Sequence, residues 1–289
     1  MTLTRSRVEW RGVTAKGHRL RMSNIEVVQE LVEAINYDRF AAIEALHNPD
    51  VTFYSFRGPI LHDSVSVMDW HREFAQRYAD LTYTELEFIE ERDIVALRAT
   101  LEAKGYDWRP FTQRVAEVFR IVDGGIQERR MYAMLRDLEL DKPATQAMAA
   151  ALEYRGGSPA ATKAVVSAFY QALLAGNRDE ARAHLAEKCA YIDSVYGLAA
   201  GPEAALELFA ETPKPAFGVW RVTRIVPGPK SALVELAIDP NRPRAAHWVR
   251  LVEEKITVIE AYWMLREIGI NPYVEYSRDR HLRKVIFPA

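Results

Sequence analysis

Apolar residues fall into a helical pattern directly after Ser23. Val27, Val28, Leu31, Val32 and Ile35 follow the spacing of one helix face. Ser23 or Asn24 is suited to cap that helix. The pattern returns at Val165, Val166, Phe169 and Leu173, an offset of 138 residues. The far ends of the two halves match as well. Arg130-Met131-Tyr132-Ala133-Met134-Leu135-Arg136-Asp137 resembles Glu260-Ala261-Tyr262-Trp263-Met264-Leu265-Arg266-Glu267 at an offset of 130. The difference of eight implies a net deletion in the second half. A repeat this long means two copies of one domain rather than a short-period solenoid.

Each copy predicts helices first and strands afterwards. The long helix is followed by a short one at Phe40–Leu46 or Asp179–Leu185, then a strand at Val51–Phe56 or Cys189–Val195. A third helix is expected at Val65–Tyr78 or Pro202–Glu211, with Pro202 suited to the first turn. Strands complete the first copy at Glu85–Glu90, Ile94–Ala103, Phe111–Val122 and Ile126–Leu135. Those of the second are Trp220–Val226, Ala232–Asp239, Ala245–Val252 and Ile256–Leu265. Asp123-Gly124-Gly125 is a hairpin signal. This order indicates an α+β fold. The expected organisation is a basic extension (1–22), a first domain (23–140), a linker with an Ala-rich helical middle (141–160), a second domain (161–275) and a basic tail (276–289).

Composition narrows the function classes. The chain has 289 residues, 49% hydrophobic and 27% charged, an ordinary globular mix. A net charge of -2 gives no basic excess for nucleic acid. No run of about 20 apolar residues is present, so no membrane helix is expected. The single cysteine, Cys189, excludes an intrachain disulfide and a cysteine-rich zinc site, and fits a cytoplasmic location. The seven histidines show no zinc-protease spacing, and no phosphate loop or nucleophile elbow occurs. No metal and no cofactor are therefore expected. The Arg-rich start lacks an apolar core, so it is expected to be a strap or disordered extension rather than a secretory signal.

Val27–Phe40 with Val51–Ser55, and Glu117-Val118-Phe119-Arg120-Ile121 through Tyr132, resemble the nuclear transport factor 2-like fold in its SnoaL-like and ketosteroid-isomerase branch. Val165–Asn177, Tyr191-Ile192-Asp193 and Arg250 through Trp263 resemble it in the second half. The resemblance implies two tandem cone-shaped α+β barrels, each with three N-terminal helices packed on a curved, mostly antiparallel sheet. A tandem pair most resembles the cyclising epoxide hydrolases of polyether biosynthesis. It implies a monomeric pseudo-dimer or a homodimer, since single-domain relatives pair through their sheets.

By that resemblance Asp193 stands where the isomerases place their general base, and His247 where they place an oxyanion donor. In the first half Ser55 replaces the aspartate, while Glu117 aligns with His247 and has His71 as a candidate partner. Tyr54, Tyr132, Tyr262, Glu260 and Trp248 are candidate substrate-binding residues. Phe169 stands where the family carries a helix-borne tyrosine, and Tyr170 is expected to point elsewhere. The epoxide-hydrolase pattern loses its carboxylate, since its arginine–aspartate pair falls on Arg98 and Thr100. The expected function is a cofactor-independent cyclase or isomerase acting on a hydrophobic polyketide- or terpenoid-like molecule by general acid–base catalysis, including ring-closing epoxide opening. The alternatives are a non-catalytic binding or scaffold protein, and a dehydratase-type lyase using the first pocket.

Overall fold

The structure is a computed structural model and describes residues 22–56, 60–104, 110–135, 138–211, 220–239 and 242–264. The expected basic extension and C-terminal tail lie outside the described residues, apart from Met22.

The first half runs α1 (Asn24–Asn36), α2 (Phe40–Leu46), β1 (His47–Tyr54), β2 (Ile60–Leu61), α3 (Ser64–Arg77), β3 (Ala79–Glu91), β4 (Ile94–Lys104), β5 (Pro110–Val122) and β6 (Gly125–Ala133). Helix α4 (Lys142–Glu153) follows in the Ala-rich stretch. The second half repeats the order: α5 (Pro159–Ala175), α6 (Arg178–Ala183), β7 (Leu185–Asp193), β8 (Gly197–Ala200), α7 (Pro202–Glu211), β9 (Arg221–Pro227), β10 (Ser231–Asp239), β11 (Arg242–Val252) and β12 (Lys255–Trp263).

The helix starts follow capping chemistry. Ser23 accepts the Glu26 N–H while Glu26 returns to the Ser23 N–H, a reciprocal capping box. Ser158 caps α5, with Pro159 in the first turn. The apolar stripe of α1 is buried throughout and packs on β3 and β4. In the second half α5 packs on β9, β10 and β12. Each long helix thus fills the concave side of its sheet. Curvature is helped by a bulge in β3, where the register shifts between Thr84 and Glu87 and Glu85 adopts a φ of 51°.

The two tandem α+β units expected are present, each a curved, mostly antiparallel sheet, and their strands join into one open 12-stranded sheet where Trp263 of β12 pairs with Ala133 of β6. The registers make the repeat exact in places. Ala116 lies between Arg98 and Tyr132, as Ala246 lies between Glu235 and Tyr262. The offset is 138 residues at Phe53 and Tyr191, 137 at Arg98 and Glu235, and 130 at Ala116 and Ala246. Most of the deletion therefore falls in the β4–β5 connection.

The convex faces of the two halves pack on each other. Small residues at Ala96, Ala116, Ala190 and Ala246 belong to one apolar cluster with Tyr132, Trp248 and Tyr262, and α4 adds Ala144, Ala147 and Ala151. Charges cross this layer. Arg98 makes a bidentate pair with Glu260, both bonds 2.9 Å. Arg130 reaches Glu235 at 3.2 Å, and Arg250 reaches Glu87 at 2.7 Å. Arg224, on the strand beside Glu235, also pairs with it at 2.9 Å. Positions equivalent by register carry opposite signs. The first half has Glu87, Arg98 and Arg130 where the second has Arg224, Glu235 and Glu260.

Candidate functional site

Alternation along a strand sends successive side chains to opposite faces of the sheet. On β7 this puts Tyr191 and Asp193 on the concave side and Ala190 and Ile192 on the convex side. Asp193, Ala261 and His247 lie in one cross-strand row over β7, β12 and β11. The two predicted residues therefore share a face, two strands apart.

Asp193 is fully buried. Its Oδ1 accepts the Val195 N–H at 2.8 Å, the Tyr196 N–H at 3.1 Å and the Trp263 Nε1–H at 3.0 Å. Its Oδ2 receives only a long contact from the Tyr191 hydroxyl, 3.4 Å, among the described residues. Burial pushes the carboxyl up to about 6, while these donors act against the rise. Asp193 thus caps its own turn and also faces the cone.

His247 is ringed by Tyr170, Tyr191 and Phe209, with ring centroids 5.8, 5.7 and 6.1 Å away. Burial lowers its pKa to about 3. The imidazole is therefore neutral at ordinary pH, and an imidazolium acid is not available there. Its Nδ1 lies 2.6 Å from the Tyr170 hydroxyl. Tyr170 was expected to point away. It is instead buried in the same cone, one position along the helix from the tyrosine site that Phe169 occupies.

The first cone is built differently. Glu117 accepts from Arg129 Nε at 2.6 Å and from the Tyr83 hydroxyl at 2.8 Å. Arg129 Nη1 donates to His71 Nε2 at 2.7 Å, and Arg129 Nη2 donates to Tyr83 at 3.1 Å. The guanidinium lies over Phe53 at 4.7 Å from its centroid. Burial, then the Arg129 charge, hold the His71 pKa well below the usual value. Arg129 thus stands between Glu117 and His71, which were expected to act on each other directly. The second cone has Ile259 where the first has Arg129, and Phe209 where it has His71. It has exchanged an ion pair for apolar walls around Asp193.

Five predicted pocket residues are on the other face of the sheet. Tyr54 lies under the Arg130 guanidinium at 5.6 Å. Tyr132 donates to Glu235, and Trp248 lies opposite Glu260 in the convex layer. Although burial acts to raise Glu260, Arg98 and Arg250 hold its carboxyl below the usual range. Burial and the neighbouring Glu260 raise the Tyr262 phenol. The reason is parity: Ala261 faces the cone, so Glu260 and Tyr262 cannot. Sequence reasoning missed Arg129 and Tyr83 as well as Tyr170. Arg129 was findable, since it shares the parity of Met131 on a strand next to Glu117.

Among the described residues no group of three or more His, Cys, Asp or Glu converges to hold a metal. Two surface clefts, about 850 Å³ beside Gln146, Arg182 and Lys255 and about 720 Å³ beside Glu44, Asp50 and Asp123, are lined by none of these cone residues. No helix among the described residues is long and apolar enough to cross a membrane.

No curated protein matches the chain. Several solved structures are similar over roughly one domain. A hypothetical protein with a ketosteroid isomerase-like fold from Catenulispora acidiphila DSM 44928 is 17% identical, over 37% of this chain and 84% of that chain, with a TM-score of 0.36. A putative polyketide cyclase from Pseudomonas putida KT2440 is 16% identical, over 38% and 91%, with a TM-score of 0.37. An LEH-like epoxide hydrolase from M. tuberculosis is 16% identical, over 38% and 81%, with a TM-score of 0.34. Residues 28–129 match the family model of the SnoaL-like domain. The matched segment runs from α1 into β6 and is similar to a SnoaL-like domain, and the second half repeats the same order of helices and strands.

Proposed function

We propose that the second cone is the working site of a cofactor-independent cyclase or isomerase, with Asp193 as general base. The supporting observation is a buried carboxyl, raised to about 6, on an apolar concave face, with no arginine partner among the described residues. Above pH 6 it is ionised, and its elevated basicity suits proton abstraction near neutral pH. Oδ1 is engaged by three donors, so Oδ2 is the basic oxygen. The substrate proton passes to Oδ2, and negative charge develops on a substrate oxygen. His247 supplies a neutral donor for that charge, and Tyr170 fixes its tautomer. With Tyr170 donating to Nδ1, the imidazole proton sits on Nε2 and is free to be offered. The Asp193 acid then returns the proton to the product, or to the opened epoxide oxygen in a ring closure. The walls of Tyr191, Phe209, Trp220 and Trp263 favour an apolar small molecule. In the first cone the Glu117–Arg129 pair argues against a base there, and hence against the lyase reading.

The Asp193→Asn variant is expected to lose at least 100-fold in turnover of a polyketide- or terpenoid-like substrate, in the range of one general acid–base group. The wild-type rate should rise with pH through about 6 and then level. A folded Asp193→Asn variant with undiminished turnover excludes Asp193 as the base. A second reading is favoured by one observation, that Oδ1 caps the Asp193 turn. On it the cone holds its ligand without turnover, and Asp193→Asn leaves ligand affinity nearly unchanged.

A further inference from the structure

The turn that carries Asp193 is fastened from outside its own half. Ser194 is only 1% exposed, and its Oγ accepts the Leu135 backbone N–H at 2.6 Å. Leu135 lies just beyond β6, in the first half. Its neighbour Met134 still donates to Arg114 in a ladder-like bond, whereas Leu135 donates to the second half's turn. Two residues earlier, Ala133 pairs with Trp263, whose indole holds Asp193 Oδ1. The first half therefore touches both supports of the carboxylate.

We infer that Ser194 is a positioning residue through which the first half orients the Asp193 carboxylate of the second cone. The inference rests on the acid–base reading of that cone. The physical argument is one of backbone geometry. Ser194 separates Asp193 from Val195 and Tyr196, whose N–H groups fill Oδ1. Fixing Ser194 by its hydroxyl fixes the peptide planes on either side, and with them the direction of both donors. Released, the turn swings those donors away from Oδ1, and the carboxylate loses bonds that favour its charged form. The first half does not reproduce the device, since the equivalent residues are Ser55 and Phe56. The first unit thus completes the second site from outside the cone.

Ionisable groups facing Asp193 are Tyr191 on its own strand and Tyr196 in the turn, with His247 beyond Tyr191. Burial raises Tyr191 well above the usual phenol value and Tyr196 to about 12, and lowers His247 to about 3. All three are neutral at pH 7. The titration of Asp193 accordingly reports its hydrogen bonds rather than a neighbouring charge.

The test is a carboxyl ¹³C NMR titration of the full chain, with the Asp193 signal identified by its loss in Asp193→Asn. The wild-type midpoint is expected near 6. Ser194→Ala should raise it by about one unit, the scale of losing hydrogen bonds to the charged form. Amide exchange at Val195 and Tyr196 should quicken, while that of Val28 in α1 stays as in wild type. Ser194→Thr keeps the hydroxyl and should titrate as wild type. If Ser194→Ala does not fold, the near-isosteric Ser194→Cys, with its weak acceptor, takes its place with the same expected direction. A folded Ala or Cys variant with the wild-type midpoint and wild-type exchange overturns the inference. No substrate is needed, so this result is independent of the turnover test on Asp193→Asn.

Discussion

Asp193 concentrates the tension between stability and chemistry in one side chain. Its folded pKa, about 6, lies above the ordinary 3.8. The folded state therefore binds the proton more tightly than the unfolded chain does. The stabilisation from that proton is complete below the unfolded pKa and is lost as pH rises through 6. At about 1.36 kcal/mol per pH unit, ionised Asp193 costs the fold about 3 kcal/mol at pH 8. Asp193→Asn keeps the Oδ1 acceptor and removes the charge. It is expected to gain about 2–3 kcal/mol relative to wild type at pH 8, and close to nothing at pH 4. Urea denaturation at the two pH values checks this, and equal effects at both would contradict the buried, charged state. The residues that frame the pair were legible to different degrees. Asp193 and His247 stood out because the family resemblance sets them at the positions of a general base and an oxyanion donor. Tyr170 did not, because a one-residue difference around a helix is only about 100° and both Phe169 and Tyr170 end up buried.

At the scale of elements, the two copies solve the same turn with different residues. The β5–β6 hairpin turns through Asp123 and Gly124, with φ of 51° and 70°. The equivalent β11–β12 turn uses Glu253 and Glu254, at 49° and 60°. Both are left-handed pairs of the kind that suits a two-residue hairpin. Glycine adopts this conformation without steric cost, whereas a glutamate is strained by roughly 1 kcal/mol. Glu254→Gly is thus expected to stabilise the chain by about 0.5–1 kcal/mol, seen as a higher melting temperature. A lower one would mean that the Glu254 side chain contributes more than its backbone costs. Element order and most boundaries could be read from periodicity, since burial imposes 3.6-residue and two-residue spacings on the sequence. Which face of a strand meets the cone could not. Tyr54, Tyr132, Trp248, Glu260 and Tyr262 fall on alternate positions from the cone residues, and an apolar layer between the halves makes both faces look like core.

At the scale of the molecule, the layer between the halves is selective. Two first halves packed in this way would set Arg98 against Arg130, and two second halves would set Glu235 against Glu260. At these two pairs only the mixed pairing brings opposite charges together. Such buried pairs need not add stability over apolar residues, yet breaking one leaves a charge without its partner. Glu260→Met alone is expected to cost about 3–5 kcal/mol, since Arg98, Arg114 and Arg250 all face that carboxylate. Arg98→Met with Glu260→Met should cost less than the sum of the single changes. A double-mutant cycle by chemical denaturation measures the difference, and strict additivity would remove the coupling.

The resemblance to a known fold singled out Asp193 and His247, while periodicity and the 138- and 130-residue offsets determined, by themselves, that the chain is a repeated α+β unit. Both signals are local or internal, so they survive in one dimension. The tertiary structure decided what those residues meet. It joined the strands into one sheet, tied Glu117 to Arg129, gave Asp193 no cationic partner among the described residues, and sent Glu260 and Tyr262 to the layer between the halves. These outcomes depend on strand parity and on contacts between strands, some between residues more than a hundred positions apart, which spacing along the chain does not encode.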